Sequence, residues 1–164
     1  MVLSKQTGSK GIGMLMKEYT SAELASQPIG YWTGEAHRRV VGRIRSDLAL
    51  EGLTQPHWWT LNHVAGAPGT LTRAALAERL QPFDDQGTDF EAAFDDLITR
   101  GWLAATAGTL TTTEAGEAGR LRAATRGQRA NELMHDGVDP ADYAVAVNVL
   151  RRVIGNLGGS SDLP

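Results

Sequence analysis

The amino-acid sequence predicts a mainly α-helical fold with one small β-hairpin. Three observations carry that expectation. Apolar residues recur at three- and four-residue steps in six segments, cap residues and glycines bound those segments, and the pattern turns extended only over residues 102–112. At 164 residues, 41% hydrophobic and 21% charged, the chain suits one globular domain that buries a core without disulfides. It has no cysteine, which excludes a disulfide framework, zinc thiolates and cysteine nucleophiles, and fits a reducing cytoplasm. No stretch approaches the roughly 18 apolar residues of a membrane span, so no membrane is expected among its partners.

Residues 1–27 read as a flexible arm. Lys5, Lys10 and the short run 11–16 faintly resemble a signal peptide, but the run is glycine-broken and lacks a small-residue cleavage site; Met14 or Met16 is an alternative start. Pro28 opens the first long helix, where Trp32, Ala36, Val40, Val41, Ile44 and Leu48 form one apolar stripe. Arg38, Arg39, Arg43 and Arg45 fall mostly off it, as a solvated face. Gly52 ends the helix.

Thr54 is the expected cap of a second helix carrying Trp58, Leu61 and Ala65, closed by Gly66 to Gly69. Thr72 caps a third that buries Ala75, Leu76 and Leu80, with Pro82 as its breaker. Thr88 or Asp89 caps a fourth, on which Phe90, Ala93, Phe94, Leu97 and Ile98 face inward before Gly101. Residues 102–106 and 109–112, rich in threonine and joined at Ala107-Gly108, then read as a two-stranded hairpin. Thr113 starts a long helix to about His135. Asp139, Pro140 and Asp142 give cap, N1 proline and acidic first turn for a last helix bearing Tyr143, Val147, Leu150, Val153 and Ile154. Residues 155–164, glycine- and serine-rich, read as a flexible tail.

Three short helices followed by a two-stranded wing make a winged helix–turn–helix, expected at 53–113 within one domain spanning 28–154. The long helices at 28–52 and 114–154 carry apolar stripes with no partner inside so small a unit. They are expected to be N- and C-terminal dimerisation helices, packed against a second copy.

The segments LTQPHWWTL at 53–61, LTRAALAERL at 71–80, LITRGW at 97–102 and TEAG at 113–116, in this order and spacing, resemble the MarR family of bacterial transcription regulators. The resemblance covers about residues 28–154. It implies a homodimer that places one helix of each protomer in a major groove and a wing near the minor groove. It also implies a small-molecule effector bound between the dimer and DNA-binding regions. On that pattern Thr88, Asp89, Glu91 and Ala92 are the base-facing positions, Arg73 and Arg100 backbone contacts, and Arg120 and Arg122 further phosphate contacts. Ala92 and Asp96 stand where the family often has arginine, and the wing tip 105–108 lacks the family's Asp–Arg pair.

Between Thr70 and Thr113 there are three basic and seven acidic residues. Lys and Arg supply most non-specific DNA affinity by neutralising phosphates, so a net acidic face forfeits that contribution. Asp and Glu can still accept from cytosine N4, while Asp89 also suits a helix cap. The alternative is therefore a winged-helix dimer without direct DNA binding, serving as a ligand sensor or protein-interaction module. Tyr31, Trp32, Trp59 and His63 are candidates to line an aromatic ligand pocket. No metal or cofactor is expected: His57 and His63 lack metal-ligand spacing, and no phosphate loop, nucleophile elbow or acid–base pair marks an enzyme.

Overall fold

The computed structural model describes residues 16–84 and 86–162. It contains α1 (Ser21–Ala25), α2 (Ile29–Ala49), α3 (Gln55–Gly66), α4 (Arg73–Leu80), α5 (Phe90–Thr99), β1 (Leu103–Thr106), β2 (Thr109–Thr112), α6 (Glu114–Met134) and α7 (Pro140–Asn156). A single 3-10 turn, Gln81–Phe83, follows α4. The winged helix–turn–helix order expected from the sequence is thus α3, α4, α5, β1, β2, with long helices before and after it.

The chain divides into two compact units, with the boundary between His37 and Arg38 inside α2. In the first, part of the stretch read as a flexible arm is helical. The Thr20 hydroxyl accepts from the Glu23 amide at 3.2 Å while a Glu23 oxygen accepts from the Thr20 amide at 2.7 Å. That reciprocal capping box fixes α1. Residues 1–15 of the arm lie outside the described residues.

The second unit holds the core. Leu53, Leu61, Val64, Leu71, Leu76, Leu80, Phe90, Phe94, Leu97, Leu103 and Leu110 form one buried cluster, with Leu48 and Ala123 at its edges. It is built from the apolar stripes of α3, α4 and α5 and the inward residue of each strand. The strands pair antiparallel with Leu103 opposite Thr112 and Thr106 opposite Thr109. Between them Ala107 (φ 51°) and Gly108 (φ 82°) both take left-handed backbone, the geometry a two-residue hairpin loop with native twist requires.

A third segment joins the wing. The Leu110 amide donates to the Leu71 carbonyl at 2.9 Å, and the Gly69 amide to the Leu110 carbonyl at 3.0 Å. The chain entering α4 is therefore pinned to β2. The helix α6 starts on the wing's far side, where the Thr113 hydroxyl accepts from the Gly116 amide at 3.1 Å and donates to the Gly101 carbonyl at 2.6 Å.

The last helix, α7, has no buried residue, although Tyr143, Val145, Val147 and Val149 are large, apolar and exposed. Of the stretch 155–164 read as a flexible tail, Gly155 and Asn156 belong to α7, and residues 157–162 turn back along it. Arg151 donates to the Ser161 carbonyl at 2.8 Å and to Asp162 at 2.6 Å.

Candidate nucleic-acid interface

The helix α5 buries Phe90, Ala93, Phe94 and Leu97 and leaves Glu91, Ala92 and Asp95 exposed. Its start is fixed by Asp89, whose carboxylate accepts from the Ala92 amide at 3.1 Å. The sequence left the cap open between Thr88 and Asp89. Thr88 is turned to Asp84 instead, donating its amide at 2.6 Å and its hydroxyl at 2.7 Å to that carboxylate. Those two bonds, the amide's first, hold the Asp84 carboxyl below its usual pKa. Of the four base-facing candidates, Asp89, Glu91 and Ala92 are exposed, and Thr88 is half-buried and locally committed.

Each arginine expected to reach DNA is engaged by a carboxylate of this chain. Arg73 lies 2.7 Å from both Glu91 and Asp95. Those hydrogen bonds, Glu91's first, raise its pKa further. Arg100 pairs with Asp96 at 2.6 Å and donates to the Gly52 carbonyl at 2.7 Å. Arg120 grips Glu117 with two nitrogens and reaches Asn62 at 3.2 Å. Arg122 and Arg126 both donate to Glu51, at 2.8 and 2.7 Å, and lower its pKa, Arg122 more strongly. Glu51 and Asp95 carry no local signal of these roles, because their partners lie many residues away, whereas Glu117 and Arg120 stand three apart on one helix.

A second network runs beneath α5. The buried His57 accepts through Nδ1 from the Thr54 amide at 3.1 Å, closing the start of α3. That leaves its ring hydrogen on Nε2, which faces Asp96 at 3.2 Å. Burial pushes the His57 pKa down, and Arg100 adds to this, while Asp96 pulls it up.

The aromatic candidates fall in different units. In the first, Trp32 donates through its indole nitrogen to Gln27 at 2.8 Å, and Tyr31 is 79% exposed. In the second, His63 donates from Nδ1 to the Trp59 carbonyl at 2.9 Å. Phe83, directly after the helix-breaking Pro82, joins them, with its ring 6.3 Å from Trp59 and 6.4 Å from His63. Elsewhere in this unit, Val40, Ile44, Ala130, Leu133 and Met134, with Arg39 and Arg43, line an apolar groove of about 380 Å³ between α2 and α6.

The pinned hairpin, the exposed face of α5 and the long flanking helices define a winged helix–turn–helix of the kind found in MarR family transcription regulators. A MarR family regulator from Silicibacter pomeroyi matches with a TM-score of 0.64 at 17% identity, over 85% of this chain and 99% of that one. The transcriptional repressor CouR matches at 0.61 and 22% identity, over 82% and 97%. A Mycobacterium tuberculosis MarR family protein in complex with DNA matches at 0.61 and 20%, over 78% and 98%. At these identities the likeness establishes the fold. No family model and no curated protein matches the sequence.

Proposed function

We propose that the protein is a MarR-like transcriptional regulator that binds operator DNA as a homodimer and responds to a small aromatic ligand. The observation that carries this is the geometry of α5: a capped helix with one face in the core and the other open beside a wing pinned to the start of α4. That is how a winged helix presents a helix to a major groove. Solved structures of this fold include the Mycobacterium tuberculosis protein with DNA and with salicylic acid, and CouR bound to p-coumaroyl-CoA. On this reading the chain is a bacterial, cytoplasmic binding protein rather than an enzyme. No helix among the described residues is long and apolar enough to cross a membrane.

The dimer follows from α7. A helix of 17 residues without a buried side chain lacks the tertiary packing that normally stabilises a helix in water. Its exposed valines and Tyr143, with the groove between α2 and α6, supply an apolar surface for a second copy. For the ligand, the Trp59, His63 and Phe83 rings offer stacking surface, with the free His63 ring nitrogen as a polar handle. Tyr31 and Trp32 remain candidates on the same reading.

The second reading, a winged-helix dimer without direct DNA contact, is favoured by the engagement of Arg73, Arg100, Arg120 and Arg122 by internal carboxylates. Anisotropy against DNA flanking the protein's own gene, with a scrambled duplex as competitor, separates the two. Submicromolar binding that resists the competitor supports the regulator. Equal affinity for both duplexes, or none at low salt, removes it. Salicylate added to the complex probes the ligand, with Trp59→Leu expected to blunt any response.

A further inference from the structure

Arg73 is held through both terminal nitrogens: Nη1 donates to Glu91 and Nη2 to Asp95, each at 2.7 Å. The two acceptors stand four residues apart on α5, so they share its exposed face. Arg73 itself comes from the first turn of α4, whose entry is bonded into the wing. A guanidinium presents its donors as a planar fork, and a phosphate satisfies that fork with two oxygens. Glu91 and Asp95 together give Arg73 the same two-oxygen, negatively charged partner. The side chains of Arg73, Glu91 and Asp95 are 33%, 55% and 66% exposed. Pairs this wet are weak and open readily.

We infer that Glu91 and Asp95 are an internal stand-in for DNA phosphate, holding Arg73 away from the duplex and keeping intrinsic affinity low. The inference rests on the DNA-binding reading and adds its regulation. For Arg73 to join the contact with DNA, an exchange of partners is required. Arg73 passes from the carboxylates to a phosphate, and the carboxylates, left facing the groove, must find donors of their own. Cytosine N4 is such a donor. A duplex that offers one recovers the cost of the exchange, whereas on a random duplex the cost is not recovered and Arg73 stays with Glu91 and Asp95. The same pair therefore lowers non-specific affinity more than specific affinity.

The test titrates the full chain by anisotropy against a labelled mixed-sequence duplex of about 30 base pairs, which spans two half-sites one turn apart. Salt is varied throughout. Glu91→Gln combined with Asp95→Asn is expected to bind roughly threefold to tenfold more tightly at low salt. Its plot of log K against log salt should steepen by about 0.9 for each Arg73 handed to a phosphate. Adding Arg73→Ala to that pair should return the slope to the parent's. Glu78→Gln with Glu114→Gln removes the same formal charge from exposed positions outside the cluster and should leave the slope unchanged.

Unchanged binding by the Glu91→Gln, Asp95→Asn protein overturns the inference and leaves the DNA reading standing. A gain that survives Arg73→Ala, or a slope matched by the Glu78 and Glu114 control, does the same. If none of the four proteins binds the duplex at low salt, the DNA reading falls and the inference with it. Thermal melts of all four confirm that the comparison is made between folded proteins.

Discussion

The carbonyl oxygen of Trp102 fills the space a Cβ on Gly116 would need, and the Trp102 ring likewise crowds Gly119 one turn further along α6. The residue just before β1 thus lies against the start of the long helix with backbone touching backbone. The Thr113 amide completes the contact by donating to the same Trp102 carbonyl at 3.0 Å.

Gly116→Ala should therefore destabilise the protein by about 2–4 kcal/mol, despite alanine's better helix propensity, because a backbone atom cannot step aside as a side chain can. Gly42→Ala, on α2 with nothing within 4 Å of the added carbon, should instead stabilise by up to about 1 kcal/mol. Urea unfolding of both variants checks the opposite signs. Equal effects would mean that the Trp102 contact does not constrain α6.

The wing turn holds a non-glycine residue, Ala107, at φ 51°. Left-handed backbone costs an alanine roughly 1 kcal/mol, while asparagine tolerates it and asparagine–glycine is a favoured pair for such a loop. Ala107→Asn is expected to stabilise by about 0.5–1 kcal/mol. Faster amide exchange at Leu110 or Thr111 in the variant, rather than slower, would contradict this.

His57 sets a pH dependence. Its folded pKa lies below the ordinary 6.5, chiefly through burial. Above 6.5 the ring is neutral in both states and contributes no slope. As pH falls below 6.5 the unfolded chain takes a proton that the folded one resists, so stability declines until the folded pKa is passed. His57→Gln keeps an acceptor for the Thr54 amide and loses the titration. Stability measured from pH 7.5 to 5 should fall less steeply in that variant than in the parent.

Local chemistry made the elements legible in the sequence. Thr72, Thr113 and Asp139 cap the helices that their spacing indicated, each accepting the expected amide. The Thr20–Glu23 capping box was equally present in the sequence, but a five-residue helix shows no stripe to draw attention to it. The charge pattern was legible as a sum and not as pairs. Arg73 meets Glu91 and Asp95 across 18 and 22 residues, and Arg122 meets Glu51 across 71. No periodicity links such positions; only the packing of α4 on α5 and the return of α6 past the end of α2 bring them together. Phe83 was hidden in the same way, since a residue after proline in a turn gives no hint that its ring faces Trp59 and His63.

The flanking helices give the last prediction. Tyr143 and Val147 stand one turn apart on α7, both exposed and both on the stripe that the sequence assigns to a second copy. A charge at Val147 falls on an exposed position outside the core cluster, so it acts on assembly and leaves the winged unit's core untouched. Val147→Asp with Leu150→Asp should shift the protein from dimer to monomer in light scattering and make α7 susceptible to proteolysis. The core cluster around Phe94 and Leu61 should keep its amide protection. DNA binding should weaken steeply, because two half-sites held by one dimer act through a shared effective concentration that separate monomers lack. A parent protein already monomeric at micromolar concentration would refute the dimer, and a variant that stays dimeric would place the contact elsewhere than α7.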